Sequence, residues 1–172
     1  SGIQEASPLK RRIFDWSMAV GTECFETENA GGSVGPVLSA KRAIADRLVF
    51  SKVRAKLGMT HTSHLLSGAA PLSATVGTFF ASIGLRIQEA YGQTECLGVS
   101  NMNPPDRLKF GTVGPALEGV EVKIAEDGEI LVRGDNVFLG YFQDEAATAS
   151  ALVDGWLLTG DIGEFDQEGY LK

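Results

Sequence analysis

Apolar residues recur at helical spacing twice within the first sixty positions. In SPLKRRIFDWSMAVG, Leu9, Ile13, Trp16 and Val20 fall three or four apart and share one face of a helix. Ser7 is placed to cap that helix, Pro8 fits its first turn, and Gly21 is expected to stop it. TENAGGSVGP, residues 27–36, breaks the period and reads as a loop. SAKRAIADRLVFSKVRAKLG then carries a second stripe, Ala40, Ile44, Leu48, Val49, Val53 and Leu57, which predicts an amphipathic helix ended by Gly58.

From residue 64 the texture becomes strand, helix, strand. HLLSG (64–68) reads as a short buried strand. SATVGTFFASIG (73–84) reads as a helix capped by Ser73 with Val76, Phe79, Phe80 and Ile83 inward. LRIQEAYG (85–92) is the next strand. Such a unit predicts parallel pairing with a right-handed crossover, and ligands in such sheets bind beyond the carboxyl ends of the strands. Here those ends are SGAAPL and YGQTE. After NMNPPDR (101–107), a linker by its Pro and Asn content, the helical period nearly vanishes. VEVKI (120–124) and EILVRG (129–134) alternate about a turn and form a hairpin. DNVFLGY, GWLLTG and GYLK add short strands, and only DEAATASAL (144–152) looks helical. The expected fold class is α/β plus β: an α/β parallel-sheet portion over 1–103, then a small β-rich unit over 104–172.

Composition narrows the class. The apolar fraction of 44% and charged fraction of 22% are those of a soluble globular chain with a core. Glycine, at 21 of 172 residues, exceeds its usual share of about 7% and points to many turns or to backbone that approaches a ligand. No apolar run reaches membrane-spanning length, no signal peptide is visible, and Cys24 and Cys96 match no metal or redox spacing, so a cytoplasmic protein is expected. Residues 1–60 carry net +3 and residues 61–172 net −10. That balance argues against a nucleic-acid partner. The basic part could meet an anionic membrane as a peripheral contact, although solvated helix faces account for the same residues.

Three segments carry candidate chemistry. YGQTE (91–95) offers an aromatic plate at Tyr91, a close-approach glycine at Gly92, the Thr94 hydroxyl and the Glu95 carboxylate. A ring can stack on a base, and a carboxylate is a hard ligand for Mg²⁺; a polar turn is the plainer reading. SGAAPL (67–72) has small residues that leave room for a flat ligand, or that simply make a tight turn. TGDIG (159–163) puts Asp161 after an apolar strand, where a carboxylate can accept from both hydroxyls of a ribose, or sit in a β-turn.

In order, SGAAPL, YGQTE, GEILVRGDNVFLGY (128–141) and DGWLLTGDIGEFDQEGYLK (154–172) resemble the adenylate-forming (ANL) superfamily of acyl-CoA synthetases, luciferases and peptide-synthetase adenylation domains. The last segment resembles the fatty-acyl-CoA synthetase signature, and LKRRIFDWSMAVG and LVFSKVRAKLG are similar to the long-chain branch. The resemblance implies an acyl-CoA synthetase-like fold whose β-rich part is a distorted barrel. It implies that Tyr91 stacks on adenine, that Gly68, Ala69 and Ala70 line the adenine side and the mouth of an acyl tunnel, and that Glu89 and Ala90 edge the base. Gly92 belongs to the same turn. Thr94 would meet the α-phosphate, Glu95 would hold Mg²⁺, and Asp161 would bind the ribose. The ligands implied are ATP or AMP, a fatty acid and coenzyme A. The implied reaction joins the fatty carboxylate to AMP and then to coenzyme A.

The family's phosphate loop, its hinge and the small domain with the catalytic lysine have no counterpart. NAGGSVG (29–35) is Gly-rich but lacks the lysine, and reads as a surface loop. The expectation is an internal piece of a much longer enzyme, unable by itself to form acyl-AMP and prone to self-association through uncovered strand edges. His61 and His64 lack further ligands at a useful spacing. Two other readings stay open: an acid-activating ligase for short or aromatic acids or amino acids, and a non-catalytic nucleotide-binding module.

Overall fold

In the computed structural model, which describes residues 7–172, the first helix runs past its expected stop. α1 spans Pro8–Asn29 with Gly21 in its interior. A Cβ at Gly21 would collide with the Ser82 carbonyl oxygen and come within 2.9 Å of Phe50 Cζ. The glycine is there for close packing and not to end the helix. Pro8 opens α1 as expected, but the Ser7 side chain makes no cap; its carbonyl accepts from Arg11 N at 3.1 Å.

The second stripe also starts earlier than expected. α2 spans Pro36–Ala45, a π-helical turn spans Asp46–Phe50, and α3 spans Ser51–Lys56. A π turn holds an extra residue and rotates the helix beyond it. Ala45 before the turn and Phe50 at its end are both buried, with Val49 and Val53 packed against the same core, while Ile44, Leu48 and Leu57 of the expected stripe are exposed. Arg54 locks the turn by donating to Asp46 Oδ1 at 2.7 Å. α4 spans Ala74–Ser82 and ends before Ile83, which is fully buried; Val76, expected inward, is exposed.

These helices form one compact unit from residues 7–65, 73–87 and 105–108. Its core is Val20, Cys24, Ala45, Phe50, Ile83 and Leu85. Glu28 accepts from both Arg42 and Arg86 at 2.6 Å, so Arg42, one of the basic residues of the positively charged first sixty, is spent on an internal ion pair.

The second unit takes residues 66–72, 88–104 and 109–172. Three strands, β1 (Leu65–Ser67), β2 (Ile87–Tyr91) and β3 (Asn101–Met102), lie in that order, with β2 and β3 antiparallel. β1 is less buried than its apolar run suggested: Leu66 is 62% exposed. A second, antiparallel sheet has the order β4 (Val120–Ile124), β5 (Glu129–Gly134), β7 (Trp156–Ile162), β6 (Leu152–Val153). The β4–β5 hairpin keeps an unbroken register from Val120↔Gly134 to Ile124↔Ile130, as alternation required. α5 spans Glu145–Ala151 and is capped by Asp144, which accepts from Ala147 N at 2.9 Å. Residues 135–141, expected as a strand, form a turn and loop, and the GYLK segment makes only isolated bridges at Leu171. The core of this unit is Cys96, Ile130, Val132, Leu157 and Leu171.

NMNPPDR is not a mere linker. Asn101 and Asn103 are almost completely buried and fully engaged. Asn103 Nδ2 donates to the Thr112 carbonyl at 2.5 Å and its Oδ1 accepts from Lys109 N at 3.1 Å, while Asn101 Nδ2 donates to the Gly114 carbonyl at 3.2 Å. Buried amides that satisfy backbone groups from a neighbouring loop fix that loop in place. Among the described residues, no helix is long and apolar enough to cross a membrane.

The turn that closes the chain's last segment is acid-sensitive. Asp166 is held down to about 2 by the Lys109 ammonium at 2.5 Å and by the backbone N–H groups of Tyr170 and Glu168. A carboxyl that titrates near 4 when unfolded and lower when folded stabilises fully above pH 4. That contribution fades as pH falls from about 4 to about 2. Urea midpoints of wild type and Asp166→Asn should differ at pH 7 and converge near pH 2; a gap that persists at pH 2 would assign the effect to geometry instead of charge.

Candidate functional site

A cleft of about 430 Å³ opens within the second unit. One wall comes from the segment after β1, one from the end of β2, one from the loop 111–113, and the rim from the end of β7. Of the residues singled out in the sequence, Ala69, Ala70, Glu89, Ala90, Tyr91, Gly92 and Asp161 line it; Gly68, Thr94 and Glu95 do not.

Ala69 adopts a left-handed backbone with φ 64°, a conformation that costs an alanine about 1–2 kcal/mol. Non-glycine strain of this kind concentrates at ligand sites. Gly92 must be glycine for a different reason: a Cβ there would lie 2.5 Å from the Gly98 carbonyl oxygen and 2.8 Å from Val99 Cα. The backbone therefore turns sharply after Tyr91, which itself lines the cleft.

Tyr91 is half-buried, with its ring against the core of the unit. Its hydroxyl donates to Asp161 Oδ2 at 2.7 Å, joining positions 70 residues apart in sequence. Burial, and the neighbouring carboxylate after it, push the phenol well above its ordinary value, so it stays a donor at neutral pH.

Asp161 reaches the rim through a bulge. β5 and β7 pair at Leu131↔Leu158 and next at Glu129↔Ile162, so Thr159, Gly160 and Asp161 together face the single residue Ile130. Gly160 has φ +75°, Thr159 Oγ1 donates to the Ile130 carbonyl at 2.7 Å, and Gly160 N donates to Glu129 Oε1 at 2.8 Å. Bulges re-aim side chains out of the regular alternation. Alternation alone would not have given Asp161 its direction.

Glu89 has a role beyond that expected of it. Its carboxylate is buried and accepts from Leu72 N at 3.1 Å and from Gly111 N at 3.2 Å. One carboxylate so ties the segment after β1 to the loop 111–113, across the cleft floor. The loop residues Gly111, Thr112 and Val113, with Leu171 and Lys172, line the cleft and were missed in the sequence. For residues 111–113 the sequence offered only the glycine spacing in GTVGP. Lys172 is the cationic residue of the lining, and its ammonium lies 3.2 Å from Glu164.

Thr94 and Glu95 occupy a single 3₁₀ turn, Thr94–Cys96, shortly after Gly92. Thr94 is exposed. Glu95 is half-buried, and its Oε1 accepts from the Tyr141 hydroxyl at 2.8 Å, which raises the phenol of Tyr141. Among the described residues no three His, Cys, Asp or Glu side chains converge as a metal cluster. A site built on Glu95 would thus depend on phosphate oxygens and water for the remaining ligands, which suits Mg²⁺ and not zinc.

The family profile described as "AMP-binding enzyme" matches residues 28–142. The chain is 44% identical over 166 residues to the long-chain-fatty-acid–CoA ligase FadD15 of Mycobacterium bovis, covering 96% of this chain and 27% of that ligase. It is 37% identical over 182 residues to the human long-chain-fatty-acid–CoA ligase 1, covering 98% of this chain and 25% of that protein. Among solved structures, apo MatB from Rhodopseudomonas palustris superposes with a TM-score of 0.60 at 36% identity, over 73% of this chain and 28% of MatB. The o-succinylbenzoate coenzyme A synthetase MenE of Bacillus subtilis, in complex with ATP and magnesium ion, gives 0.58 at 30% identity over 70% of this chain and 29% of MenE. The chain thus spans between a quarter and a third of the length of these relatives. With the matched profile and the cleft lined by the YGQTE and TGDIG segments, the chain belongs to the AMP-binding enzyme family.

Proposed function

We propose that this chain forms the adenosine side of the site of an AMP-forming fatty-acid–CoA ligase. In that reaction a fatty carboxylate oxygen attacks the α-phosphorus of ATP, pyrophosphate leaves, and the sulfur of coenzyme A then displaces AMP from the acyl carbonyl. The observation that carries the reading is the 2.7 Å contact between Tyr91 and Asp161 at the cleft. It sets an aromatic plate and a carboxylate side by side. The plate suits a base, and Asp161 keeps its second oxygen for ribose hydroxyls, since only Oδ2 is engaged by Tyr91. The small residues Gly68, Ala69 and Ala70 leave room for the base and for the start of an acyl chain, and Ala90 and Gly92 offer backbone to its edge.

Thr94 would donate its hydroxyl to the α-phosphate. Glu95 would offer Mg²⁺ its other carboxylate oxygen. The bound ion supplies charge neutralisation at the phosphates, the main electrostatic demand of the reaction. The similarity to long-chain ligases over nearly the whole chain favours a long-chain fatty acid as the substrate. The same reading keeps the exposed basic residues Lys10, Arg11 and Arg12 of α1 as a peripheral contact with an anionic membrane surface, and the edge strands β4 and β6 as the route to self-association.

Titration of the protein with AMP tests the reading. A hydrogen bond to a charged group contributes about 1.5–3 kcal/mol, so Asp161→Asn should weaken AMP binding about tenfold to a hundredfold. The loss should shrink for 2′,3′-dideoxyadenosine monophosphate, which has no ribose hydroxyls to lose. Equal AMP affinity in variant and wild type would remove Asp161 from the site.

A further inference from the structure

The last residue of GEILVRGDNVFLGY reaches Glu95 from outside the cleft. The Tyr141 hydroxyl donates to Glu95 Oε1 at 2.8 Å, and Phe138 N of the same loop donates to the Glu95 carbonyl at 2.7 Å. One loop thus holds Glu95 at both its main chain and its carboxylate.

Tyr141 is itself held. Its backbone N donates to Thr148 Oγ1 at 2.9 Å, and that hydroxyl donates to the Asp144 carbonyl at 2.8 Å, so α5 carries the anchor. The Tyr141 ring meets Phe138 edge-on with centroids 4.8 Å apart. The preceding Gly140 has φ +143°, and a Cβ there would sit 2.6 Å from Thr148 Cγ2. The path of the chain into Tyr141 is therefore specified from both sides. A loop needing only to cover the turn would not require a phenol hydroxyl aimed at a carboxylate oxygen.

We propose that Tyr141 is a positioning residue for Glu95: its hydroxyl occupies Oε1 and presents Oε2 as a single-oxygen ligand to the Mg²⁺ that accompanies ATP. This rests on the nucleotide reading above and adds to it a residue from a different segment. Mg²⁺ keeps most of its water and takes one or two carboxylates, so a carboxylate restricted to one free oxygen suits it better than a bidentate one. Outer-sphere hydrogen bonds that orient a ligating carboxylate typically change metal affinity by about 10–100-fold when removed.

The test compares wild type, Tyr141→Phe and Glu95→Gln by calorimetry, with AMP in the absence of Mg²⁺ and with ATP at stepped Mg²⁺. Tyr141→Phe keeps the ring against Phe138 and removes only the hydroxyl. Its AMP affinity should match that of wild type within about twofold, because AMP does not need the ion. The Mg²⁺ concentration that half-saturates ATP binding should rise about tenfold, at the lower end of the outer-sphere effect. Glu95→Gln should show at least that rise. A wild-type Mg²⁺ requirement in Tyr141→Phe, with a raised one in Glu95→Gln, overturns the role of Tyr141 and leaves Glu95 in place. An unchanged requirement in both variants overturns the ligand role of Glu95 and the inference with it. Wild-type protein that binds no AMP overturns the nucleotide reading itself, and the AMP titration separates that failure from the other two.

Discussion

Gly114→Ala should lower the stability of the second unit by about 2–5 kcal/mol. Two costs add. The residue has φ +81°, where an alanine loses about 1–2 kcal/mol. Its Cβ would also collide with the Met102 carbonyl and with Asn103 N, and overpacking of this kind costs about 1–3 kcal/mol. Neither neighbour can retreat. Asn103 is buried and bonded to Thr112, Lys109 and Gln88, and Gly114's own carbonyl accepts from Asn101. Gly119→Ala is the matched control: φ is +80° there, but nothing lies within 4 Å of the new Cβ. Its loss should be the conformational part alone. Urea midpoints that agree between the two variants would show that the close approach at Gly114 is not felt.

Phe50→Ala should cost about 3–5 kcal/mol in the helical unit, the range for a buried aromatic. Phe50 is 2% exposed and packs in the core with Val20, Cys24 and Ile83, its ring also against the space that Gly21 leaves free. Leu48→Ala, two residues away, should cost under about 0.5 kcal/mol because Leu48 is exposed. A regular α-helix through this segment would put Leu48 in the core, as the apolar stripe suggested. Thermal melts of the two variants therefore decide whether the π turn at Asp46–Phe50 exists in solution. Equal losses, or a larger loss at Leu48, would count against it.

The parts of the fold that could be read from the sequence were those where one local signal has one outcome. Alternation about AEDG gave the β4–β5 hairpin, and the helical look of DEAATASAL gave α5, though not its Asp144 cap. The misses occur where a local signal met a tertiary demand. Gly21 looked like a helix stop, but the neighbouring Ser82 carbonyl is the group that requires a glycine. The stripe of the second helix assumed a constant 3.6-residue period that the π turn breaks. Asn and Pro in NMNPPDR suggested a linker because polar residues are usually exposed; here the amides are consumed by loop backbone and could be buried.

The candidate site divides in the same way. Tyr91 and Asp161 could be singled out because their residue types fit the chemistry and come after strand-like runs. Their contact could not, since it depends on three residues of β7 facing one of β5. Glu89 was read as an edge to the base; that its oxygens accept from Leu72 N and Gly111 N could not be read, because those partners are remote in sequence. Residues 111–113 carry no charged side chain, so nothing in their types marked them as cleft lining. Tyr141 stood in a quoted motif, yet nothing in the string links it to Glu95, 46 positions earlier.

The way the two units share the chain has a consequence in time. The helical unit has all its segments once residue 108 is made, whereas the second unit's segments 66–72 and 88–104 are already synthesised and lack their partners. Ile130, Leu157 and Leu171, the core mates of Cys96, come later. At about 5–20 residues per second, the 64 residues from 109 to 172 take about 3–13 s to translate. During that interval β2 and Tyr91 wait without the later core residues that cover them, so the cleft walls they form are completed only when the end of the chain has been made.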